Sequence, residues 1–112
     1  RNIEVSRICL HKDDDSNLHE MYMFHSRPYS VGPLKQNKES ISYHIVDGLL
    51  EISTNSQDKK IILGSELFEN ETLSRSYRLR PNEFRMVESK SDYCIFLEVN
   101  NGPFKDSDTI WK

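Results

Sequence analysis

The side chains in this sequence best suited to catalysis or metal binding are its four histidines, His11, His19, His25 and His44. Imidazole binds divalent metals and transfers protons near neutral pH. Paired metal ligands usually lie two residues apart on a strand or four apart on a helix, and no two histidines here have either spacing. His44 lies inside an apolar, strand-like stretch. There we expect a hydrogen-bonded core or interface residue, with a ligand role as the alternative.

The two cysteines, Cys9 and Cys94, give neither a disulfide framework nor the spacing of a thiolate metal site. Both lie in apolar stretches, so we predict buried free thiols, which suit a reducing cytoplasm. The sequence also lacks a Gly-rich phosphate loop and a Ser nucleophile elbow. No covalent catalytic motif is therefore recognisable.

Length and charge set the class of protein. The chain has 112 residues, with 15 Lys and Arg against 18 Asp and Glu, a formal charge of -3. We therefore predict a single domain over residues 1–112, with neither nucleic acid nor membrane as partner. No signal peptide or membrane-spanning run is visible, so we expect a cytoplasmic location. The chain starts at Arg1 without a methionine, which is consistent with a segment that precedes it.

Apolar and polar residues alternate with a period of two in short stretches separated by turn residues, which predicts an all-β sandwich or barrel. We read segment 64–75 as a loop. About eight strands are expected, over residues 5–11, 20–26, 41–54 (two strands), 59–65, 74–80, 84–89 and 92–100.

Turn signals and strand faces refine this prediction. Gly32-Pro33 predicts a bend, and Asp47-Gly48 is the strongest hairpin signal, between the two strands of residues 41–54. Strand alternation places Tyr43 and His44 on opposite faces. Trp111, close to the end of the chain, is expected to dock onto the body or onto a neighbouring subunit.

Several segments resemble the WbuC-type cupin family of bacterial polysaccharide gene clusters. They are "RICLH", "EMYMF", "ISYHIVDG", "YRLRPNEF" and "IFLEVNNGPFKDSD", and together they cover nearly the whole chain. The last is the most specific, because Phe-x-Glu-Val followed by Gly-Pro-Phe and acidic residues is unusual. The resemblance implies a cupin-type double-stranded β-helix, a jelly-roll barrel whose site lies inside its mouth.

The resemblance also locates the positions of the family's metal ligands. Cupins typically place His-x-His after a proline, a Glu about five residues later and a further His on a later strand. The corresponding positions here hold Leu34, Gln36, Ile41 and Arg85. Leucine and isoleucine cannot coordinate a metal, and a guanidinium brings a permanent positive charge. We therefore predict a degenerate site that holds no metal and uses no cofactor.

A cupin pocket without a metal would offer hydrogen-bond donors and flat faces for a sugar or sugar nucleotide. We expect Arg85 to face inward, with Glu98 or a bound anion as the partner that a buried arginine needs. For the other side chains, a solvated loop position for Lys35 or a core position for Phe84 is the alternative. The candidate ligand-binding residues are Arg85, Gln36, Lys35, Tyr22, Tyr43, Phe84 and Glu98.

Three functions remain open. The first is a non-catalytic cupin that binds a sugar or sugar nucleotide in bacterial surface-polysaccharide (O-antigen, lipopolysaccharide) synthesis. The second is a metal-free sugar-nucleotide isomerase or epimerase, with His44 or His25 as base and Tyr43 as its partner. The third is a structural or interaction module whose pocket is filled by Leu34 and Ile41.

The resemblance further implies a homodimer, because cupins often pair through their outer sheets. The apolar stretches "IIL" and "CIFLEV" could supply such a face or could belong to the core.

Overall fold

A computed structural model describes residues 5–26, 28–36, 38, 40–54, 60–65, 74–80, 83–103 and 105–111. Strands account for most of these residues. In chain order the elements are β1 (Val5–Cys9), β2 (Leu18–His25), β3 (Tyr29–Gln36), β4 (Ile41–Asp47), β5 (Leu49–Thr54), β6 (Ile61–Gly64), β7 (Ser76–Arg78), β8 (Arg85–Ser89), β9 (Cys94–Asn101), a 3-10 turn (Asp106–Asp108) and β10 (Thr109–Trp111).

The strands form two antiparallel sheets of five strands each. The first has the order β1-β2-β9-β4-β7, and the second has the order β10-β3-β8-β5-β6. The chain passes from one sheet to the other after β2, β3, β4, β6, β7, β8 and β9, which is the winding of a jelly roll. The predicted all-β jelly-roll barrel is therefore confirmed. None of the described segments forms a helix long and apolar enough to cross a membrane.

The core fills one end of the space between the sheets. Leu50 and Ile52 of β5 and Leu63 of β6 have no exposed surface. Tyr43 and Phe96 of the first sheet pack against these residues. The two aromatic rings lie edge to face with each other, with 6.0 Å between their centroids. Each such side chain contributes about 1.5 to 3 kcal/mol by leaving water. This packing holds the sheets together beside the cavity described below.

The hairpin predicted over residues 41–54 is wrong, although both of its strands exist. β4 pairs with β7 and β9, whereas β5 pairs with β6 and β8, so the two strands belong to opposite sheets. Gly48 joins them at φ = 99°, a conformation that residues with a side chain rarely adopt. The chain turns a corner between sheets here. An Asp-Gly pair does not distinguish such a corner from a reversal within one sheet.

The bend predicted at Gly32-Pro33 lies within a strand. β3 continues through it from Tyr29 to Gln36 and pairs with β8, with a shift of register at the Gly-Pro pair. Gly32 has φ = 111°, and a Cβ there would lie 2.6 Å from the carbonyl oxygen of Arg85. The bulge lets β3 continue and places the side chain of Leu34 against the interior.

Two further predictions concern the loop at residues 64–75 and the docking of Trp111. Most of segment 64–75, predicted as a loop, lies outside the described residues. At the other end, residues 109–111 form β10 and pair with β3. The backbone at the end of the described chain is therefore docked onto the body, while the Trp111 side chain stays 65% exposed.

Gly48→Ala should lower the free energy of unfolding by about 1 to 3 kcal/mol, because alanine is strained at positive φ. Its Cβ would also lie 2.6 Å from the carbonyl oxygen of Tyr93. Urea denaturation followed by circular dichroism measures the change. Val46→Ala, an exposed side chain two residues away, is the control and should change stability by no more than about 0.5 kcal/mol. Equal losses in the two variants would contradict the assigned corner.

Candidate functional site

A cavity of about 630 Å³ opens between the sheets, at the end away from the apolar core. Its walls come from β1, β2 and β9 on one side and from β3, β8 and β10 on the other. The polar wall residues include Arg7, Gln36, Arg85, Glu98, Asn100 and Thr109, together with His11, Asp14 and His19. The apolar ones are Met21, Met23, Val31 and Leu34. An apolar pocket with a few convergent polar groups is typical of a small-molecule site.

Arg85 lies in the wall of this cavity and is only 4% exposed. Its Nε donates to the Tyr43 hydroxyl at 3.1 Å, and its Nη2 donates to Gln36 Oε1 at 3.0 Å. The remaining nitrogen, Nη1, is buried and has no hydrogen-bond partner among the described residues. Nε and Nη2 each have a partner, although Nη2 carries a second N–H, so Nη1 is the nitrogen that still lacks an oxygen. An unpaired buried N–H costs about 1 to 3 kcal/mol.

Glu98 completes a chain of polar contacts across the cavity. It is hydrogen-bonded to Tyr43, and it accepts a bond from Asn100 Nδ2 at 3.1 Å. Burial raises the pKa of the Glu98 carboxyl, and this effect outweighs the opposing charge of Arg85 and the bonds from Asn100 and Tyr43. Burial also raises the pKa of the Tyr43 phenol, with help from the negative charge of Glu98. Tyr43 therefore stays a neutral phenol that bonds to both charged groups.

The predicted pairing of Arg85 with Glu98 is thus indirect. Tyr43 lies between the two groups and is bonded to each of them. The charge of Arg7, at the mouth on β1, also acts on Glu98. Two guanidiniums, those of Arg85 and Arg7, therefore lie in the wall of the cavity near Glu98, where they suit an oxygen-rich ligand.

The residues at the ligand positions of metal-binding cupins do not fit a divalent metal. Leu34, Gln36 and Arg85 line the cavity together, whereas Ile41 packs in the apolar core. The amide oxygen of Gln36 already accepts from Arg85. Within the described ranges, no three His, Cys, Asp or Glu side chains are grouped so that they could hold a metal ion. This donor set offers no coordination shell.

His25 lies beside a smaller space of about 70 Å³, which Tyr43, Arg85 and Glu98 also line. Its Nδ1 is 3.0 Å from the Ser89 hydroxyl, while its Nε2 is buried with no partner in the described part of the chain. Burial lowers the pKa of the His25 imidazole, so the neutral ring is favoured. Of the two histidines proposed as a base, this is the one near the cavity.

His44 does not reach the cavity. It lies on the outer face of β4, where its ring nitrogens are 2.9 Å from the Ser42 hydroxyl and 2.8 Å from that of Ser76. Tyr43 faces the opposite way, into the core, as strand alternation predicts. A His44–Tyr43 catalytic pair is therefore excluded by the geometry of the strand.

Three further candidates also lie outside the cavity. Tyr22 is on the outer face of β2 and is 39% exposed. The ammonium of Lys35 lies 5.0 Å from the centre of the Phe84 ring, so these two pair with each other in a cation–π contact. Of the predicted ligand-binding residues, only Arg85, Gln36, Glu98 and Tyr43 come together.

Other residues of the cavity have no counterpart in the sequence prediction. Arg7, Asn100, Thr109 and Trp111 line it, and so does Cys9, which is exposed rather than buried as predicted. The position of Asn100 could have been predicted from the sequence, because it follows Glu98 by two residues and therefore lies on the same face of the strand.

The mouth also carries a stacked pair of histidines. The rings of His11 and His19 lie 4.0 Å apart at 19°, and His19 Nε2 is 3.2 Å from the carbonyl oxygen of Asp14. Both histidines and Asp14 line the cavity. Only the folded chain brings these two histidines together.

No protein-family model and no curated protein matches the sequence. Solved structures with the same fold do match. A cupin superfamily protein from Desulfitobacterium hafniense superposes with a TM-score of 0.69 at 16% identity, covering 90% of this chain and 80% of that one. A protein from Shewanella oneidensis gives 0.75 at 9% identity, covering 95% and 72%.

The DMSP lyase DddQ from Ruegeria pomeroyi gives a TM-score of 0.73 at 10% identity, covering 97% of this chain and 52% of that one. At these identities the likeness establishes the fold. The chain therefore has the cupin-type jelly roll, and its activity has to be argued from its own residues.

The free energy of unfolding of the Glu98→Gln variant should increase relative to that of the wild type as pH rises. Because burial raises the pKa of Glu98 above its ordinary value of 4.5, the folded protein prefers the protonated acid. The wild type therefore has its full stability below that value and loses some as pH rises through the folded pKa. Glutamine mimics the protonated form at every pH. Urea denaturation at about pH 4 and about pH 8 tests this, and a difference that does not grow with pH would contradict it.

Proposed function

We propose that this chain is a metal-free cupin that binds a small oxygen-rich ligand, a sugar or a sugar nucleotide, in the cavity lined by Arg85. The observation that carries the proposal is the unpaired Nη1 of Arg85, a buried cationic donor in the wall of a cavity of about 630 Å³. Native proteins rarely leave such a donor unsatisfied, and a ligand oxygen would satisfy it.

The contacts of Arg85 narrow the kind of oxygen that it takes. A phosphate or carboxylate gripped by two parallel bonds needs two adjacent guanidinium nitrogens. Nε donates to Tyr43, and Nη2 uses one of its two N–H groups for Gln36, so Nη1 is the guanidinium nitrogen without a partner among the described residues. Nη1 is shielded from solvent, and Arg85 lines both the large cavity and the smaller space of about 70 Å³. A hydroxyl or an acid oxygen of the ligand is therefore the favoured group at this point.

The rest of the cavity suits a sugar. Gln36, Asn100 and Thr109 offer side-chain donors and acceptors, while Leu34 and Met21 offer apolar surface to the faces of a ring. The volume lies in the range of small-molecule sites, which is roughly 300 to 1,000 Å³. The open cavity also argues against the closed structural module, since Leu34 lines the space without filling it.

The biological setting rests on the sequence resemblance. The segments shared with WbuC-type cupins include "IFLEVNNGPFKDSD", which contributes Glu98 and Asn100 to the cavity. We propose on this basis a role in bacterial surface-polysaccharide synthesis, in the cytoplasm where sugar nucleotides are made.

We also propose that the chain forms a homodimer through the outer face of the first sheet. Ile8, Tyr22 and Phe24 lie exposed on that face, next to the partly exposed Ile95 and Leu97 of β9. Exposed apolar patches of this kind commonly mark interaction surfaces.

Arg85→Met should abolish ligand binding, and because it takes the guanidinium away from Tyr43, Gln36 and Glu98, circular dichroism must first establish that the variant is folded. A probe at about 100 times its dissociation constant stabilises the wild type by about 2.7 kcal/mol, which a thermal-shift titration detects. The probes are UDP-glucose, UDP, glucuronate and glucose. The matched control is Arg78→Met, on the exposed strand β7, which should respond like the wild type. If Arg85→Met and Arg78→Met showed the same thermal shifts with the probes, the proposal would be wrong.

The protein should contain far less than one equivalent of zinc, iron, nickel or manganese. Elemental analysis of protein purified without a metal-affinity tag tests this, followed by the same analysis after incubation with each ion and desalting. A stoichiometric metal that Gln36→Ala or Glu98→Gln removes would show that the cavity does coordinate an ion.

A further inference from the structure

We propose that Trp111 is the platform on which the sugar ring of the ligand stacks, at the mouth of the cavity. This inference rests on the proposed function and adds the position of the ring to it. Trp111 lines the cavity and is 65% exposed, unusual for an indole. A flat, amphipathic face at the rim of a polar cavity is suited to the C–H groups on one side of a pyranose.

The register of the strands places the indole on the correct side. β10 pairs with β3 so that Thr109 lies opposite Gln36 and Trp111 opposite Leu34. Paired residues of antiparallel strands share a face, so Thr109 and Trp111 face the cavity as Gln36 and Leu34 do. Ile110, between them, faces outward and is 47% exposed.

The same register gives the span between the platform and Arg85. Leu34 pairs with Arg85 of β8 on one side and with Trp111 of β10 on the other. Neighbouring strands lie about 4.8 Å apart, so Trp111 and Arg85, on the two strands that flank β3, are about 10 Å apart across the sheet. Leu34 forms an apolar floor between them. This span suits one ring that stacks on the indole and extends a hydroxyl or acid oxygen toward Arg85.

Two side chains, those of Gln36 and Lys38, hold β10, and with it the platform, in place. Gln36 Nε2 donates to the Thr109 hydroxyl at 3.3 Å, so the residue that fixes Arg85 also fixes β10. Lys38, almost fully buried, donates to the carbonyl oxygen of Pro103 at 2.7 Å and lies 3.8 Å from the Asp108 carboxylate. The strand is therefore anchored at its first residue and just before it. An anchored platform loses little freedom when a ring docks on it.

Fluorescence tests the proposal directly, because Trp111 is the only tryptophan in the sequence. UDP-glucose, glucuronate and glucose are titrated into the full chain while indole emission is recorded, and calorimetry gives the dissociation constants independently. We expect a saturable change in emission with the same midpoint as the heat signal. UDP alone, which has no pyranose, should change the emission less than UDP-glucose does.

Three variants make the test specific. Trp111→Ala should raise the dissociation constant of UDP-glucose about tenfold, the upper range for an aromatic stacking contact. Trp111→Phe keeps a flat face and should restore most of the affinity. Ile110→Ala is the matched control on the other face of β10 and should bind like the wild type. Circular dichroism and thermal midpoints confirm that each variant is folded.

The outcomes separate this inference from the proposed function. Binding that Arg85→Met abolishes but Trp111→Ala leaves unchanged would overturn the platform and keep the binding site. Emission that shifts with protein concentration alone would overturn it too, because a second copy would then cover the indole. Failure of all four probes to bind the wild type would overturn both.

Discussion

A guanidinium held inside the barrel is the feature on which the rest of this structure depends. Arg85 lies almost fully buried, in the position where metal-binding cupins place a ligand histidine according to the sequence resemblance. Its charge is held there by the phenol of Tyr43 and the amide of Gln36. A buried charge persists only when enough polar groups surround it, and here they do so incompletely. A ligand oxygen in the cavity would therefore complete the hydrogen bonds of Arg85. A divalent cation in the same place would be repelled by the guanidinium.

The two contacts of Arg85 also organise the barrel around the cavity. Tyr43 belongs to β4 of the first sheet and Arg85 to β8 of the second, so their hydrogen bond joins the sheets at the inner end of the cavity. Gln36 joins β8 to β3 and, through Thr109, to β10. Glu98 extends the network to β9. Because each polar group contacts at least one other, a change at one position alters the surroundings of its neighbours, which is how small polar networks in low-dielectric interiors behave.

The positions of His44 and His25 support the proposal of ligand binding over catalysis by either of these two histidines. His44 bonds to serine hydroxyls on the outside of the barrel, and His25 is a neutral ring below the cavity. The cavity wall itself is lined mainly by hydrogen-bond donors and acceptors, with Glu98, Asp14 and the stacked His11 and His19 as further titratable groups. The buried Arg85, the amides of Gln36 and Asn100, the Thr109 hydroxyl and the exposed indole of Trp111 support the proposal that this site binds a sugar.

The sequence alone predicted eight of the ten described strands, because alternation with a period of two is a local property, but it read β3 as a bend and did not predict β10. It correctly placed Tyr43 and His44 on opposite faces, and it identified Arg85 as an inward residue. Only the tertiary structure decided which strands pair. Asp47-Gly48 turns between sheets rather than within one, since a glycine at positive φ permits both and long-range pairing selects one. The same holds for the cavity: Trp111 and Arg85 are far apart in sequence, and they become neighbours because β3 pairs with both of their strands.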